Sequence, residues 1–324
     1  MPLSFLEGVA RRPVPDGAPG LRCAFVNNMP DAAFVATERQ FLRLLELGSR
    51  PARVVVSRHV IAGAARSAPV TERIAAHYLP LDALWGAAPD LVVVTGAEPL
   101  APRLPDEPSW AELVRLLEWV TSLRTTVVLS CLAAHGAALA LDGIERVRLA
   151  DKCCGILPHT ICSPHRLTQG LVEPIMFPHS HLNEVPTRDL RAAGYTVAVA
   201  AEKDWCVAAK RHGCADIVLA QGHPEYDASS LLREYRRDLT RFVEGTASEP
   251  PVLPRGCAAP ADMRMLERLQ SLATSGAGRD RLVEELQAVP FERLSARVPW
   301  SWRPAAIRLY CNVLATAVER AGVR

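Results

Sequence analysis

Three residues of this 324-residue chain have the types and placement for nucleophilic chemistry: Cys131, His223 and Glu225. Cys131 lies in "TTVVLSCLAAHGAALAL", where an apolar, β-branched run stops and small residues open a helical pattern. In a parallel α/β sheet, that position puts the sulfur at the carboxyl end of a strand, where such folds bind ligands. The helix N-terminus behind it favours the thiolate through its dipole and free N–H groups. Ala133, Ala134 and Gly136 permit the tight packing of a nucleophile elbow. On its own the pattern equally describes a buried structural thiol. The second element is "VLAQGHPEYD", a strand that ends by delivering His223 and, two residues on, Glu225. A reactive thiol needs an imidazole to take and return its proton, and the imidazole needs an acceptor to fix its tautomer. Both elements end strands on the same expected edge of one sheet, so a shared site is expected.

The elements that must position them follow from periodicity. Strands are expected at 21–30, 52–60, 89–100 and 125–131, alternating with helical patterns at 37–48, 71–88, 109–123 and 132–143. Ser109 reads as an N-cap, Gly48 as a residue just past a helix end, and Gly143 as a helix stop. Continuous apolar strands indicate a parallel sheet buried on both faces. From 145 to 220 shorter strands joined by Pro- and His-bearing loops suggest an antiparallel extension of that sheet. A capped helix is expected at 228–245, and helical segments at 261–289 and 303–322.

Composition narrows the classes. Lys and Arg number 37 against 35 Asp and Glu, with arginines scattered, so no footprint for nucleic acid or an anionic membrane is present. Nine cysteines include no CxxC pair, and no secretory apolar core or 18-residue apolar stretch occurs. A cytoplasmic protein with reduced thiols is expected. His159, His165, His179 and His181 crowd together in sequence but lack ligand spacing on a regular element, so no metal and no bound cofactor are expected. His135, one turn after Cys131, is expected to pack behind the site, as are the adjacent Cys153 and Cys154.

The stretches "NNMPDAAFVATERQFLRLL", "LVVVTGAEPL", "WVTSLRTTVVLSCLAAHGAAL", "PHSHLNEVP" and "QGHPEYDASSLLREYRRDL" resemble, in that order, the homoserine O-succinyltransferase/O-acetyltransferase family. The resemblance runs from about 21 to 245 and returns weakly in "PWSWRPAAIRLYCNVL". It implies a class I glutamine-amidotransferase-like (flavodoxin-like) α/β fold, with a mixed, mainly parallel sheet and a C-terminal helical appendage. It also implies an acyl-CoA-dependent O-acyltransferase working by a ping-pong route. Cys131 would be acylated by acetyl-CoA or succinyl-CoA, His223 would be the base and Glu225 its orienting partner. Arg237 would recognise the amino-acid carboxylate, with Lys152, Gly155, His159, His179, Ser180 and His181 near the substrate, and the partner would be a second copy in a homodimer.

Departures surround the site. The family's lysine after "MP" is missing, leaving backbone donors such as the N–H of Leu132 to hold an oxyanion. Its "PHSR" is "PHSH" here, its Trp after the nucleophile is Leu132, and a usual Gln is His135. The position that separates acyl donors, Gly or Glu in the family, is Leu100. The acyl group and the acceptor, homoserine, serine or a related hydroxy-amino acid, therefore stay open. A glutaminase or thiol hydrolase of the same fold, and a catalytically impaired binding paralogue, are the alternatives. The expected organisation is an arm at 1–20, the α/β domain at 21–245, a linker at 246–260 and a helical extension at 261–324.

Overall fold

A computed structural model describes residues 3–6, 20–49, 53–61, 63, 65–202, 204–275 and 278–322. The first half alternates strand and helix: β1 (Leu3–Leu6), β2 (Leu21–Val26), α1 (Asp31–Gly48), β3 (Val54–His59), α2 (Ala68–His77), β4 (Leu91–Val94), α3 (Trp110–Thr121), β5 (Thr126–Ser130) and α4 (Leu132–Asp142). Strands then dominate: β6 (Val147–Ile161), β7 (Ile175–Glu184), α5 (Thr187–Ala192), β8 (Thr196–Ala200), β9 (Trp205–His212) and β10 (Ala215–Ala220). Helices close the chain: α6 (Ser230–Val243), α7 (Pro260–Thr274), α8 (Arg279–Ala288), α9 (Phe291–Ala296) and α10 (Arg303–Ala321).

All ten strands join one sheet in the order β1-β3-β2-β4-β5-β10-β9-β8-β6-β7. Pairings from β1 through β10 are parallel. Those from β10 through β7 are antiparallel, the extension expected from the sequence. Within the parallel part, β3-β2-β4-β5-β10 has the 2-1-3-4-5 order of flavodoxin-like folds.

The continuous apolar strands feed two cores. Leu91, Val93 and Val128 point into one, shared with Phe41 of α1, Leu232 of α6 and Tyr310 of α10. Val92, Val94, Val127 and Leu129 point into the other, against Leu116 of α3 and Ala134 of α4. Burying each such side chain contributes about 1.5–3 kcal/mol. Every residue of β4 and β5 is therefore buried, which is why no period-two alternation appears there.

Several local expectations change. α1 starts at Asp31, six residues before the apolar spacing begins, because its first turn carries Phe34 into a small core with Val70 and Tyr78. Gly48 lies inside α1 rather than beyond it, and a Cβ there would stand 3.0 Å from the Tyr310 backbone, so it admits α10. Ser109 occupies the N-cap of α3 without capping it, its hydroxyl instead accepting from Asn28 Nδ2 at 3.4 Å. Ser229, at the N-cap of α6, likewise makes no side-chain cap. Gly143 does end α4, with left-handed φ 68° and its N–H on Leu139. The segment expected at 261–289 divides into α7 and α8, residues 276–277 between them lying outside the described ones.

Of the arm at 1–20, residues 3–6 add a parallel edge strand beside β3, while 7–19 lie outside the described residues. Residues 246–260 run against β6: the Ile156 N–H donates to the Arg255 carbonyl at 2.8 Å, and Cys257 is fully buried. No helix among the described residues is long and apolar enough to cross a membrane.

Candidate active site

β5 delivers Cys131 into an elbow. Its backbone takes φ 47°, ψ −109°, and it is the one non-glycine residue of positive φ among the described residues. Such conformations cost of order 1–3 kcal/mol and persist where the surroundings over-determine them. Here the Cys131 N–H donates to the Ala220 carbonyl at 2.7 Å, and its own carbonyl accepts from His135 N–H at 3.1 Å. The first bond ties the elbow to the end of β10, three residues before His223. Gly96 closes the elbow from the other side. A Cβ at Gly96 would lie 3.1 Å from the Ser130 carbonyl and 3.3 Å from Cys131 Cβ. Leu132 is the first residue of α4, so its N–H has no carbonyl partner within the helix.

His223 is buried, and its backbone N–H on the Pro178 carbonyl at 2.8 Å fixes the turn. Nδ1 lies 2.8 Å from Glu225 Oε1, so Nδ1 carries a hydrogen and the buried Nε2 is the nitrogen left for the thiol. Nε2 has no aligned hydrogen-bond partner, yet Cys131 is close enough to act on the ring by hydrogen bonding and charge. Thiol and imidazole are therefore near but not aligned, as in many substrate-free catalytic pairs. Burial opposes the imidazolium, but the Glu225 charge, the Cys131 contact and the Glu225 hydrogen bond outweigh it, and His223 is held well above the ordinary imidazole range. The Tyr226 ring stacks on it at 4.3 Å.

A polar wall continues from Tyr226. Its hydroxyl and that of Ser180 both donate to Glu234 at 2.5 Å. Lys152 Nζ reaches Asp238 at 3.2 Å, and Arg237 NH2 lies 2.7 Å from the same carboxylate. Burial would lower the Lys152 ammonium, but Cys154, Asp238 and Glu234 raise it. Arg237, Lys152 and Ser180 are thus brought together beside His223. His179 and His181 are not. Side chains alternate along β7, so Ser180 faces the wall while its two neighbours enter a buried cluster with His159. Leu100 is 69% exposed, and its N–H donates to Glu107 at 3.1 Å, beside the Ala101 and Pro102 carbonyls that Arg146 holds. His135 is buried, its Nε2 on Gln221 Oε1 at 2.6 Å, and burial pushes it down to about 4, so it stays neutral behind the elbow.

The residues missed from sequence are Gly96, Tyr226, Glu234 and Arg146. Gly96, Tyr226 and Glu234 stood inside the quoted motifs, and the tight elbow was the available signal for the glycine. Arg146 carried none, since an arginine in the turn after a helix is ordinary. It is half-buried, donates to the Ala101 and Pro102 carbonyls at 3.2 and 3.0 Å, and keeps Nε and NH1 buried without partners. Burial lowers its pKa against the charges of Glu107 and Cys131.

A thiol on a strained strand-to-helix elbow, beside a His-x-Glu pair from the next strand of a flavodoxin-like sheet, places the chain in the class I glutamine-amidotransferase-like fold. Within that class, the family model for homoserine O-succinyltransferase matches residues 14–321, and the chain belongs to that family. A homoserine O-succinyltransferase of Methylorubrum extorquens is 37% identical over 300 residues, covering 93% of this chain and 88% of the relative. Another, from Rhodopseudomonas palustris, is 41% identical over 72% of this chain and 70% of its own. Among solved structures, a glutamine amidotransferase from Thermotoga maritima aligns with 92% of this chain and 98% of its own at 16% identity and TM-score 0.49.

Proposed function

We propose that this protein transfers an acyl group from a short acyl-CoA to the side-chain hydroxyl of homoserine or a close hydroxy-amino acid, by a ping-pong route through Cys131. The observation that carries the reading is the convergence of Cys131, His223 and Glu225 at the carboxyl end of the sheet. The names of the relatives support the acceptor and the transferase class.

In the first half-reaction the Cys131 sulfur attacks the acyl-CoA carbonyl carbon, and the oxyanion is met by backbone N–H groups such as that of Leu132. The C–S bond to CoA breaks, and the departing thiolate takes the proton from His223 Nε2. In the second, Nε2 takes the proton of the substrate hydroxyl, whose oxygen attacks the Cys131 thioester. The ester leaves, Cys131 departs as thiolate, and the proton stays on His223, restoring the starting pair. Arg237 and Lys152 supply cations for the substrate carboxylate, while Glu234 and Asp238 supply acceptors for its ammonium group.

Succinyl-CoA is the donor we favour. A succinyl group carries a terminal carboxylate, and Arg146 presents two buried, unpartnered guanidinium nitrogens in the electrostatic range of Cys131. A buried donor left unpaired costs about 1–3 kcal/mol, which an incoming carboxylate would recover.

The test is the mass of the intact protein after incubation with succinyl-CoA without acceptor. One succinyl adduct on Cys131, discharged by homoserine and absent from Cys131→Ser, is expected. No adduct with any short acyl-CoA, together with release of ammonia from glutamine, would transfer the site to the glutaminase reading.

A further inference from the structure

His159, His179 and His181 form a line of imidazoles beneath the turn that carries His223. A Cβ at Gly222 would lie 3.1 Å from His179 Nε2. At one end His159 Nδ1 is 3.1 Å from the Ile175 carbonyl oxygen, and at the other His181 Nδ1 is 3.0 Å from that of Asn183. Between them, His159 Nε2 and His179 Nε2 are 2.9 Å apart, and His179 Nδ1 and His181 Nε2 are 3.1 Å apart. A carbonyl only accepts, so both terminal nitrogens must carry hydrogen, and each nitrogen–nitrogen bond needs one more. These bonds together ask for four hydrogens, whereas three neutral imidazoles hold three. The line is one hydrogen short, a deficit that a proton on one ring or a metal ion in the His179–His181 gap makes good.

Two further donors surround the His179–His181 gap. The β6–β7 register sets Cys153 opposite His181. Asp204, just before β9, puts Oδ2 3.1 Å from His181 Nε2, yet both its buried carboxylate oxygens lack a hydrogen bond. One donor atom from each of Cys153, His179, His181 and Asp204 lies within 4.8 Å of all the others. The spacing from His181 Nε2 to its His179 and Asp204 neighbours is close to the ~3.3 Å edge of a tetrahedron with bonds of about 2.0–2.1 Å around zinc.

We propose that Cys153, His179, His181 and Asp204 bind a divalent transition-metal ion of the zinc class. The ion resolves the hydrogen count. His159 donates from Nδ1 to Ile175, His179 from Nε2 to His159, and His181 from Nδ1 to Asn183, leaving His179 Nδ1 and His181 Nε2 as lone pairs for the metal. Each ligating ring then has the outer hydrogen bond that orients such ligands. Binding displaces the Cys153 thiol proton to solvent, and one thiolate with one carboxylate balances the divalent charge. A second donor group, His159, His179 and Cys206, shares His179 but has no carboxylate and leaves both Asp204 oxygens without a hydrogen bond. Four protein ligands and no open position make the site structural. The ion would tie β6 and β7 to the start of β9, directly under the His223 turn.

The test titrates the full-length, chelator-treated protein with cobalt(II), then displaces it with zinc. One equivalent and a thiolate-to-cobalt charge-transfer band are expected. Cys153→Ser and His181→Arg should lose the band and bind at least about 100-fold more weakly. Cys214→Ser, which removes an exposed thiol elsewhere, should titrate like the parent. Circular dichroism confirms that each variant is folded. A parent that retains no metal, a Cys153→Ser variant that titrates like Cys214→Ser, or a band lost only with Cys206→Ala would each overturn the assignment.

Discussion

Tyr226 lies flat on His223, ring centroids 4.3 Å apart and planes 20° from parallel, with its hydroxyl on Glu234. One side chain thus fixes the imidazole plane and begins the wall that holds Ser180, Lys152 and Arg237. The two roles separate by substitution. Tyr226→Phe keeps the stack and frees Glu234, so KM for the amino acid should rise about 10-fold or more, as for a lost hydrogen bond to a charged group, while kcat holds. Tyr226→Leu removes the stack as well and should lower kcat by a further 2- to 10-fold, roughly an aromatic pair's worth. Steady-state kinetics with each variant decide it, and equal effects on kcat would refute the separation.

Glu225 is the largest influence holding His223 cationic. The imidazole's folded pKa is raised, so the stabilisation from its pairing is complete below the ordinary imidazole range and fades as pH rises through the raised value. Glu225→Gln should therefore move the alkaline limb of kcat/KM to lower pH. It should also cost about 10²–10⁴-fold in rate, the usual span for a disabled acid–base pair. A pH–rate profile with an unmoved alkaline limb would separate Glu225 from the proton transfer.

Much of this was legible in the chain. Buried strands announce themselves by continuous β-branched runs, and Cys131 and His223 both follow such runs, so topology alone sends them to one edge. Legibility failed where sidedness or distant pairing decides. Ser180, His179 and His181 are three consecutive letters, yet the pleat sends the serine to Glu234 and the histidines inward. His181 meets Asp204, and Glu38 meets Arg58 and Arg73, pairs joined only by the folded chain. Leu100 was read by position in a motif, whereas the setting of its loop comes from Glu107, which accepts from the Leu100 and Ala101 N–H groups.

Arg146 should govern the choice of acyl donor. Arg146→Ala removes the two unpartnered guanidinium nitrogens and should raise KM for succinyl-CoA by about 10- to 100-fold, equivalent to a hydrogen-bonded charge pair, with little change for acetyl-CoA. Arg146→Lys keeps the charge but not the planar fork and should fall between. Initial rates with the two donors give the ratio directly, and a parallel loss for both would assign Arg146 to holding the Ala101–Pro102 loop.

Stability should weaken on the acid side through histidines buried in neutral form. His59 is pushed down to about 4 by burial, as is His135, and His59 lies outside the candidate site. Between about pH 6.5 and 4 the unfolded chain binds protons that these folded-state rings refuse, so stability falls as pH drops through that window. Each such ring steepens the dependence by up to about 1.4 kcal/mol per pH unit. His59 has Nδ1 3.2 Å from the Pro80 carbonyl and Nε2 2.9 Å from Ser57 Oγ, contacts that a neutral amide can replace in part. His59→Gln should lower stability at pH 7 yet flatten the acid limb by nearly one proton's worth. Urea unfolding of parent and variant at several values from pH 4.5 to 7 tests this. Parallel stability curves would mean that His59 does not titrate on unfolding, and convergence toward low pH is the expected result.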